Sequence, residues 1–199
     1  DGVEAGMEEE AVRFGKLVGS DGAKNLIRLF DAMTALKKAP KGDAPRPVKR
    51  LGVLGAGLMG EGIAAVSLAL SPVVLKDVSE EGLARAAKGL RKGLEKRVRS
   101  GALTRLERDR QWYGLAATTR PDDLAGCDLV IEAVFEDLAL KRKVLAETEA
   151  VVSPEAVIAS NTSALPIRQI AAKARVPERV VGMHYFSPVP KMPLLEVVV

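Results

Sequence analysis

Seven residues about a quarter of the way along the chain constrain its fold more than any others. Leu54-Gly55-Ala56-Gly57-Leu58-Met59-Gly60 sets three glycines in the pattern GxGxxG, between an apolar run at 48–54 and a run of small residues at 58–70. The first run reads as a strand and the second as a helix, so the glycines fall at a strand-to-helix turn. There Gly55 permits the tight turn, Gly57 lets backbone amides approach a ligand, and Gly60 lets the helix pack closely on the strand. The helix N-terminus collects oriented N–H groups and partial positive charge, a seat for phosphate. A ligand-free turn would use the same glycines, so the surrounding sequence has to decide.

Asp77 decides it. It ends the next apolar run, 73–76, and lies 17 positions past Gly60, close to the separation of about 20 at which an acid meets the adenosine ribose of a dinucleotide. A carboxylate there accepts from both ribose hydroxyls and repels a 2′-phosphate, which favours NAD over NADP. Lys76 adjoins it but points to the opposite face of the strand.

The rest of the chain supplies the matching architecture. Residues 1–39 read as helical: Phe14, Leu17 and Val18 share one face, and after a start at Ser20-Asp21-Gly22 the residues Leu26, Ile27, Phe30 and Met33 recur at helical spacing. Residues 39–47, rich in proline and charge, read as a linker. Beyond it, short strands at 48–54, 73–76, 128–134, 156–160, 180–184 and 194–199 alternate with helices at 58–70, 79–99, about 104–111 and 137–151. Strands apolar on both faces between helices imply a mostly parallel sheet covered on both sides. The expected fold class is α/β, doubly wound, with an N-terminal helical connector at 1–47 and the sheet domain at 48–199.

Composition narrows the chemistry. One Cys and one His in 199 residues exclude a disulfide framework and the multi-imidazole zinc sites, so no metal is expected. Any imidazole chemistry runs through His184. The longest uncharged stretch, 62–75, is too short for a bilayer span and is broken by Ser71-Pro72. The first ten residues hold five acids and no base, the reverse of a secretory signal, so a reducing, cytoplasmic setting is expected. Both ends read as cut, since the chain opens on Asp and stops within an apolar run. Residues 85–110 hold ten Lys or Arg against three acids, a local excess larger than the whole chain's +4. That stripe reads as a solvated face or an anion contact. Without interleaved aromatics, nucleic acid is not the expected partner.

A second constellation is Ser160-Asn161-Thr162-Ser163, then Gly182-Met183-His184-Tyr185-Phe186-Ser187-Pro188-Val189-Pro190, then Glu196. Ser160 and His184 each end a strand, where side chains of a doubly wound sheet reach the ligand crevice. Pro188, Pro190 and Pro193 suggest a rigid connection able to return Glu196 to the imidazole. A carboxylate on one ring nitrogen fixes the tautomer and raises the basicity of the other, as a general base requires. An outward-facing Glu196 on an alternating strand fits the spacing equally well, and both readings stay open.

These blocks, with Leu75-Lys76-Asp77 and Val130-Ile131-Glu132-Ala133-Val134-Phe135-Glu136, resemble in order and spacing the NAD-binding domain of L-3-hydroxyacyl-CoA dehydrogenases over residues 48–199. The segments 11–17 and 24–30 resemble the helical connector that follows an enoyl-CoA hydratase domain in multifunctional fatty-acid oxidation enzymes. The resemblance implies a Rossmann-type sheet, NAD as cofactor, acyl-CoA as substrate, an upstream hydratase domain and a thiolase subunit as partners, and a C-terminal helical domain beyond Val199 that carries a catalytic Asn. It implies that His184 is the base for the substrate 3-hydroxyl, that Glu196 is its acidic partner, and that Ser163 contacts the substrate hydroxyl and the nicotinamide. Cofactor contacts are implied for Gly55, Gly57, Leu58, Met59, Gly60, Asp77, Ala133, Val134, Phe135, Glu136, Lys141, Asn161, Ser163 and Ser187. Two departures stand out. Ser187 occupies a position where the family usually has Asn, and the Gly60 to Asp77 interval is a residue short. A related NAD enzyme for a CoA-free hydroxy acid, or a non-catalytic dinucleotide-binding module, are the competing expectations.

Overall fold

The structure, a computed structural model, describes residues 2–36 and 45–199, so most of the expected linker, 39–44, lies outside the described residues. The chain divides into two compact units, Asp1–Arg46 and Pro47–Val199. The first holds helices α1 (Gly2–Val18) and α2 (Asp21–Leu36), neither of which buries a residue. Ser20 joins them: its Oγ donates to the Leu17 carbonyl at 2.6 Å and accepts from the Ala23 amide at 3.2 Å, closing one helix and capping the next.

The second unit is one sheet of seven strands: β1 (Leu51–Leu54), β2 (Val73–Lys76), β3 (Leu115–Thr118), β4 (Leu129–Glu132), β5 (Val157–Ser160), β6 (Val180–Tyr185) and β7 (Leu195–Val198), in the order β3-β2-β1-β4-β5-β6-β7. The first six run parallel and β7 runs antiparallel to β6. Helices α3 (Leu58–Ser67), α4 (Glu80–Arg99), α5 (Arg105–Tyr113), α6 (Leu138–Glu149) and α7 (Ile167–Ala171) connect them. This is the doubly wound, mostly parallel sheet expected from the sequence.

Strand alternation divides the core. Val53, Leu75 and Ile131 pack with Ile63 of α3 and Leu90 of α4, while Leu54, Val74 and Val130 pack with Leu145 of α6 and Ile170 of α7. All four β1 residues are buried, as a strand covered on both faces must be. Helix α4 turns Leu83, Ala86, Leu90 and Leu94 inward and its charges outward; Ser79 caps it, accepting from Gly82 N at 3.1 Å. Its basic face is partly engaged, with the Arg91 guanidinium 5.2 Å over the Trp112 ring.

Besides trimmed element ends and the short helix α7, which the sequence reading does not include, two details differ from it. Strand β1 begins at Leu51 rather than 48 because Asp128 Oδ2 takes the Lys49 and Arg50 amides at 2.7 and 3.1 Å, leaving those residues outside the ladder. Strand β3 was not expected at all. It lies at the sheet edge, and its central Ala116 and Ala117 are exposed, so Leu-Ala-Ala-Thr carries neither alternation nor a β-branched run.

Candidate active site

The strand order reverses between β1 and β4, which opens a crevice at their C-terminal ends. The glycine turn leaves β1 at that point. Gly55 has φ +98°, and a Cβ there would lie 2.6 Å from the Ala133 carbonyl oxygen; a Cβ on Gly60 would lie 1.7 Å from the Gly55 carbonyl oxygen. Only glycine fits either position. Gly57 differs: nothing lies within 4 Å of where its Cβ would stand, and it is the N-cap of α3 with no side chain bonded to the helix end. The turn therefore presents an open, uncapped helix N-terminus, which fits a pyrophosphate.

Asp77 stands over this turn. Its Oδ2 accepts from Ala56 N at 2.6 Å and its Oδ1 from Ser79 N at 2.9 Å, which leaves lone pairs on both oxygens for further donors such as ribose hydroxyls. Leu58 and Phe135 are exposed beside the crevice and Met59 packs partly into the core. Glu61, in the first turn of α3, would place negative charge near a phosphate. Instead its carboxylate lies against Gly89 of α4, where a Cβ would come within 2.1 Å of Oε1, and burial raises its pKa.

The imidazole lies on the same edge. His184 and Glu196 are directly paired across β6 and β7, with Nδ1 2.8 Å from Glu196 Oε2. A carboxylate only accepts, so Nδ1 carries the ring proton and Nε2 presents its lone pair. Ser163 Oγ lies 3.0 Å from Nε2, and the Phe186 ring packs on the imidazole with centroids 4.6 Å apart. The antiparallel register, rather than a proline-stiffened connection alone, brings the acid to the ring.

Asn161 joins the ends of β5 and β6, its Oδ1 accepting from Tyr185 N at 2.9 Å. Ser187 is exposed on the wall of a 680 Å³ groove bounded by α3, α4 and the 187–191 segment, with Lys96, Arg97 and Lys191 along it. The loop after β4, carrying Ala133, Val134, Phe135 and Glu136, faces the glycine turn through Gly55.

Lys141, which the resemblance implies as a cofactor contact, lies beneath the loop that follows β4. Its side chain is 1% exposed, and its ammonium lies 2.8 and 3.0 Å from the two Glu132 oxygens, 3.2 Å from Glu136 Oε2 and 3.4 Å from the Val134 carbonyl. Glu132 is the polar residue that the sequence reading left without a role. It is 4% exposed, at the end of β4, and also accepts from Ser160 Oγ at 2.6 Å and Val134 N at 2.7 Å. Its signal was an acid inside the otherwise uncharged run 129–134.

The comparisons with known proteins agree with this geometry. The sequence profile of "3-hydroxyacyl-CoA dehydrogenase, NAD binding domain" matches residues 50–199. Among curated proteins, the fatty acid oxidation complex subunit alpha of Vibrio vulnificus is 46% identical over 200 residues, covering 99% of this chain and 28% of that protein. The chain thus spans little more than a quarter of the length of such relatives. Among solved structures, M. tuberculosis FadB2 matches at 45% identity and TM-score 0.73, covering 76% of this chain and 54% of that one. The 3-hydroxybutyryl-CoA dehydrogenase of Escherichia coli K12 matches at 40% identity and TM-score 0.74, covering 76% of this chain and 32% of that one. From β1 to β7, the chain belongs to the NAD-binding domain family of the 3-hydroxyacyl-CoA dehydrogenases.

Proposed function

We propose that this chain is the cofactor-binding part of an enzyme that oxidises L-3-hydroxyacyl-CoA to 3-ketoacyl-CoA in fatty-acid β-oxidation. The observation that carries the proposal is a base assembly on the same sheet edge as the dinucleotide turn: Glu196, His184 Nδ1, His184 Nε2 and Ser163 in one hydrogen-bonded line. NAD held at the glycine turn would supply the hydride acceptor for C3 of the substrate. The chain's residues handle the proton. Nε2 takes it from the 3-hydroxyl, Glu196 stabilises the imidazolium that forms, and Ser163 orients the hydroxyl against the ring. Asp77 holds the adenosine ribose, and the α3 N-terminus takes the pyrophosphate.

The groove beside α4, with Lys96, Arg97 and Lys191, suits the charged and extended body of a CoA thioester. The length of the relatives supports a longer polypeptide in which residues 1–47 connect an upstream hydratase domain and a helical domain follows residue 199. We place the enzyme in the cytoplasm with a thiolase partner consuming the 3-keto product. No described helix is long and apolar enough to cross a membrane.

The test is NADH formation by the full-length protein with 3-hydroxyacyl-CoAs of several chain lengths and with CoA-free 3-hydroxy acids. Turnover confined to the CoA esters is expected. Turnover confined to the free acids would replace this reading with that of a hydroxy-acid dehydrogenase.

A further inference from the structure

We propose that Gly89 is a positioning residue for the cofactor: by leaving room on α4 it draws the Glu61 carboxylate away from the phosphate seat at the start of α3. The inference rests on the pyrophosphate seat proposed above and goes beyond it, since neither residue belongs to the glycine turn.

Glu61 is the acid of the first turn of α3, four residues past the N-cap Gly57. Two influences pull its carboxylate towards the helix start. Cα–Cβ bonds in a helix tilt towards its N-terminus, and the positive end of the helix dipole attracts an anion. Nothing on the chain occupies that end, for Gly57 makes no side-chain cap and has open space beside it. A carboxylate that settled there would oppose a pyrophosphate by charge, at the place where the amides and the dipole favour one.

The carboxylate lies elsewhere. A Cβ on Gly89 would come within 2.1 Å of Glu61 Oε1, 2.7 Å of its Cδ and 3.0 Å of its Oε2. The space a side chain would take on α4 is therefore the space the carboxylate fills. Gly89 lies nine residues along α4 from its start beside Asp77, roughly 14 Å down the helix axis from the crevice. No cation holds the acid at that point. Lys96, Arg97 and Lys191 line the same groove, but among the described residues the Glu61 carboxylate has no ion-pair or hydrogen-bond partner, and burial alone raises its pKa. What keeps it there is the room left by the missing side chain on α4.

Alanine at position 89 displaces the carboxylate without a backbone fault, because the clash falls on the end of a flexible side chain and alanine is the better helix former. The displaced charge then follows the tilt of its own side chain towards the uncapped α3 N-terminus.

The experiment titrates the full-length protein with NADH as wild type, Gly89→Ala, Glu61→Gln, the double variant Gly89→Ala/Glu61→Gln and Gly57→Ala, each checked for fold by circular dichroism. Gly89→Ala is expected to bind NADH about five- to thirtyfold more weakly, the scale of a charge placed at a helix N-terminus. Glu61→Gln is expected to bind close to wild type. Gln has the size of Glu without its charge, so the double variant keeps any packing fault and loses only the repulsion; its affinity is expected to return close to wild type. If Gly89→Ala does not fold, Glu61→Asp against Glu61→Asn decides: one methylene shorter, the Asp carboxylate falls short of Gly89, and weaker binding is expected for Asp alone. Undiminished NADH binding by a folded Gly89→Ala overturns the proposal and sends the displaced acid to the groove cations instead. A loss that persists in the double variant overturns it as well, leaving Gly89 a packing residue. So does a Glu61→Gln variant that binds NADH much more tightly than wild type, because the charge would then already act from its resting place. Unimpaired binding by Gly57→Ala would refute the phosphate seat itself, whereas impaired binding there beside unimpaired binding by Gly89→Ala overturns the Glu61 placement alone.

Discussion

Glu196 faces His184 as its direct partner across the β6–β7 ladder, and the 2.8 Å contact to Nδ1 leaves Nε2 as the ring's free base. Register pairing makes the dyad a property of the sheet rather than of a loop. Both side chains project from the same face of adjacent strands, so the carboxylate needs no further support to find the ring.

Replacing His184 with Gln removes the base and keeps a polar side chain at the site. In the full-length enzyme the expected loss in kcat is about 10²- to 10⁴-fold, the usual contribution of a general base. NADH affinity, set at the glycine turn and Asp77, is expected to stay near wild type. Steady-state assay together with fluorescence titration checks both halves, and undiminished turnover removes His184 as the base.

For Asp77→Ala, two effects are expected. Binding of NAD weakens and discrimination against NADP relaxes, because the acid that repels a 2′-phosphate is gone. The Ala56 and Ser79 amides also lose their charged acceptor, so stability falls by about 1–3 kcal/mol. Comparing NADH and NADPH titrations with a urea melt separates the two, and unchanged cofactor selectivity refutes the ribose role.

Glu136 carries a pH signature. Burial pushes its carboxyl up, but hydrogen bonds from Thr162 and Lys141, with the Lys141 charge, outweigh that and leave the pKa below the ordinary 4.5. A carboxyl whose pKa is lower folded than unfolded contributes stability above the unfolded value and loses it as pH falls through the folded one. Wild type is expected to lose more stability than Glu136→Gln between neutral pH and pH values below 4.5. Urea melts across that window test it, and parallel curves would contradict the sign.

Much of this site could be read in the sequence because its parts are local. The glycine turn and Asp77 declare themselves by spacing, and His184 is singled out as the only imidazole. What could not be read depends on pairing between distant segments. Spacing left Glu196 open between an inward and an outward face, and only the register with β6 settles it. Lys141 sits on a helix whose apolar and polar residues are poorly segregated, so no periodicity marks it as buried. Its burial follows from Glu132, nine residues earlier and on a different element. Strand β3 was hidden for the same reason, since an exposed edge takes its hydrogen bonds from β2 and not from any pattern of its own.

Gly57 and Gly60 make the sharpest paired test because the structure gives their missing side chains opposite surroundings. A Cβ on Gly60 would lie 1.7 Å from the Gly55 carbonyl oxygen, a backbone atom that cannot move without opening the β1–α3 turn. Gly60→Ala is therefore expected to destabilise the domain by about 3 kcal/mol or more, in the range of severe packing faults. Gly57 has φ −75° and open space where its Cβ would be, so alanine fits the backbone, and the about 0.4–1 kcal/mol it adds by restricting the unfolded chain roughly offsets its poorer standing as an N-cap. That methyl group, however, enters the space a pyrophosphate requires over the α3 N-terminus. Gly57→Ala is expected to melt near the wild-type temperature while binding NADH at least about tenfold more weakly, a loss of about 1.4 kcal/mol. Thermal melts and NADH titrations of the two variants give the comparison. Unimpaired binding by a stable Gly57→Ala domain would move the phosphate seat away from this turn.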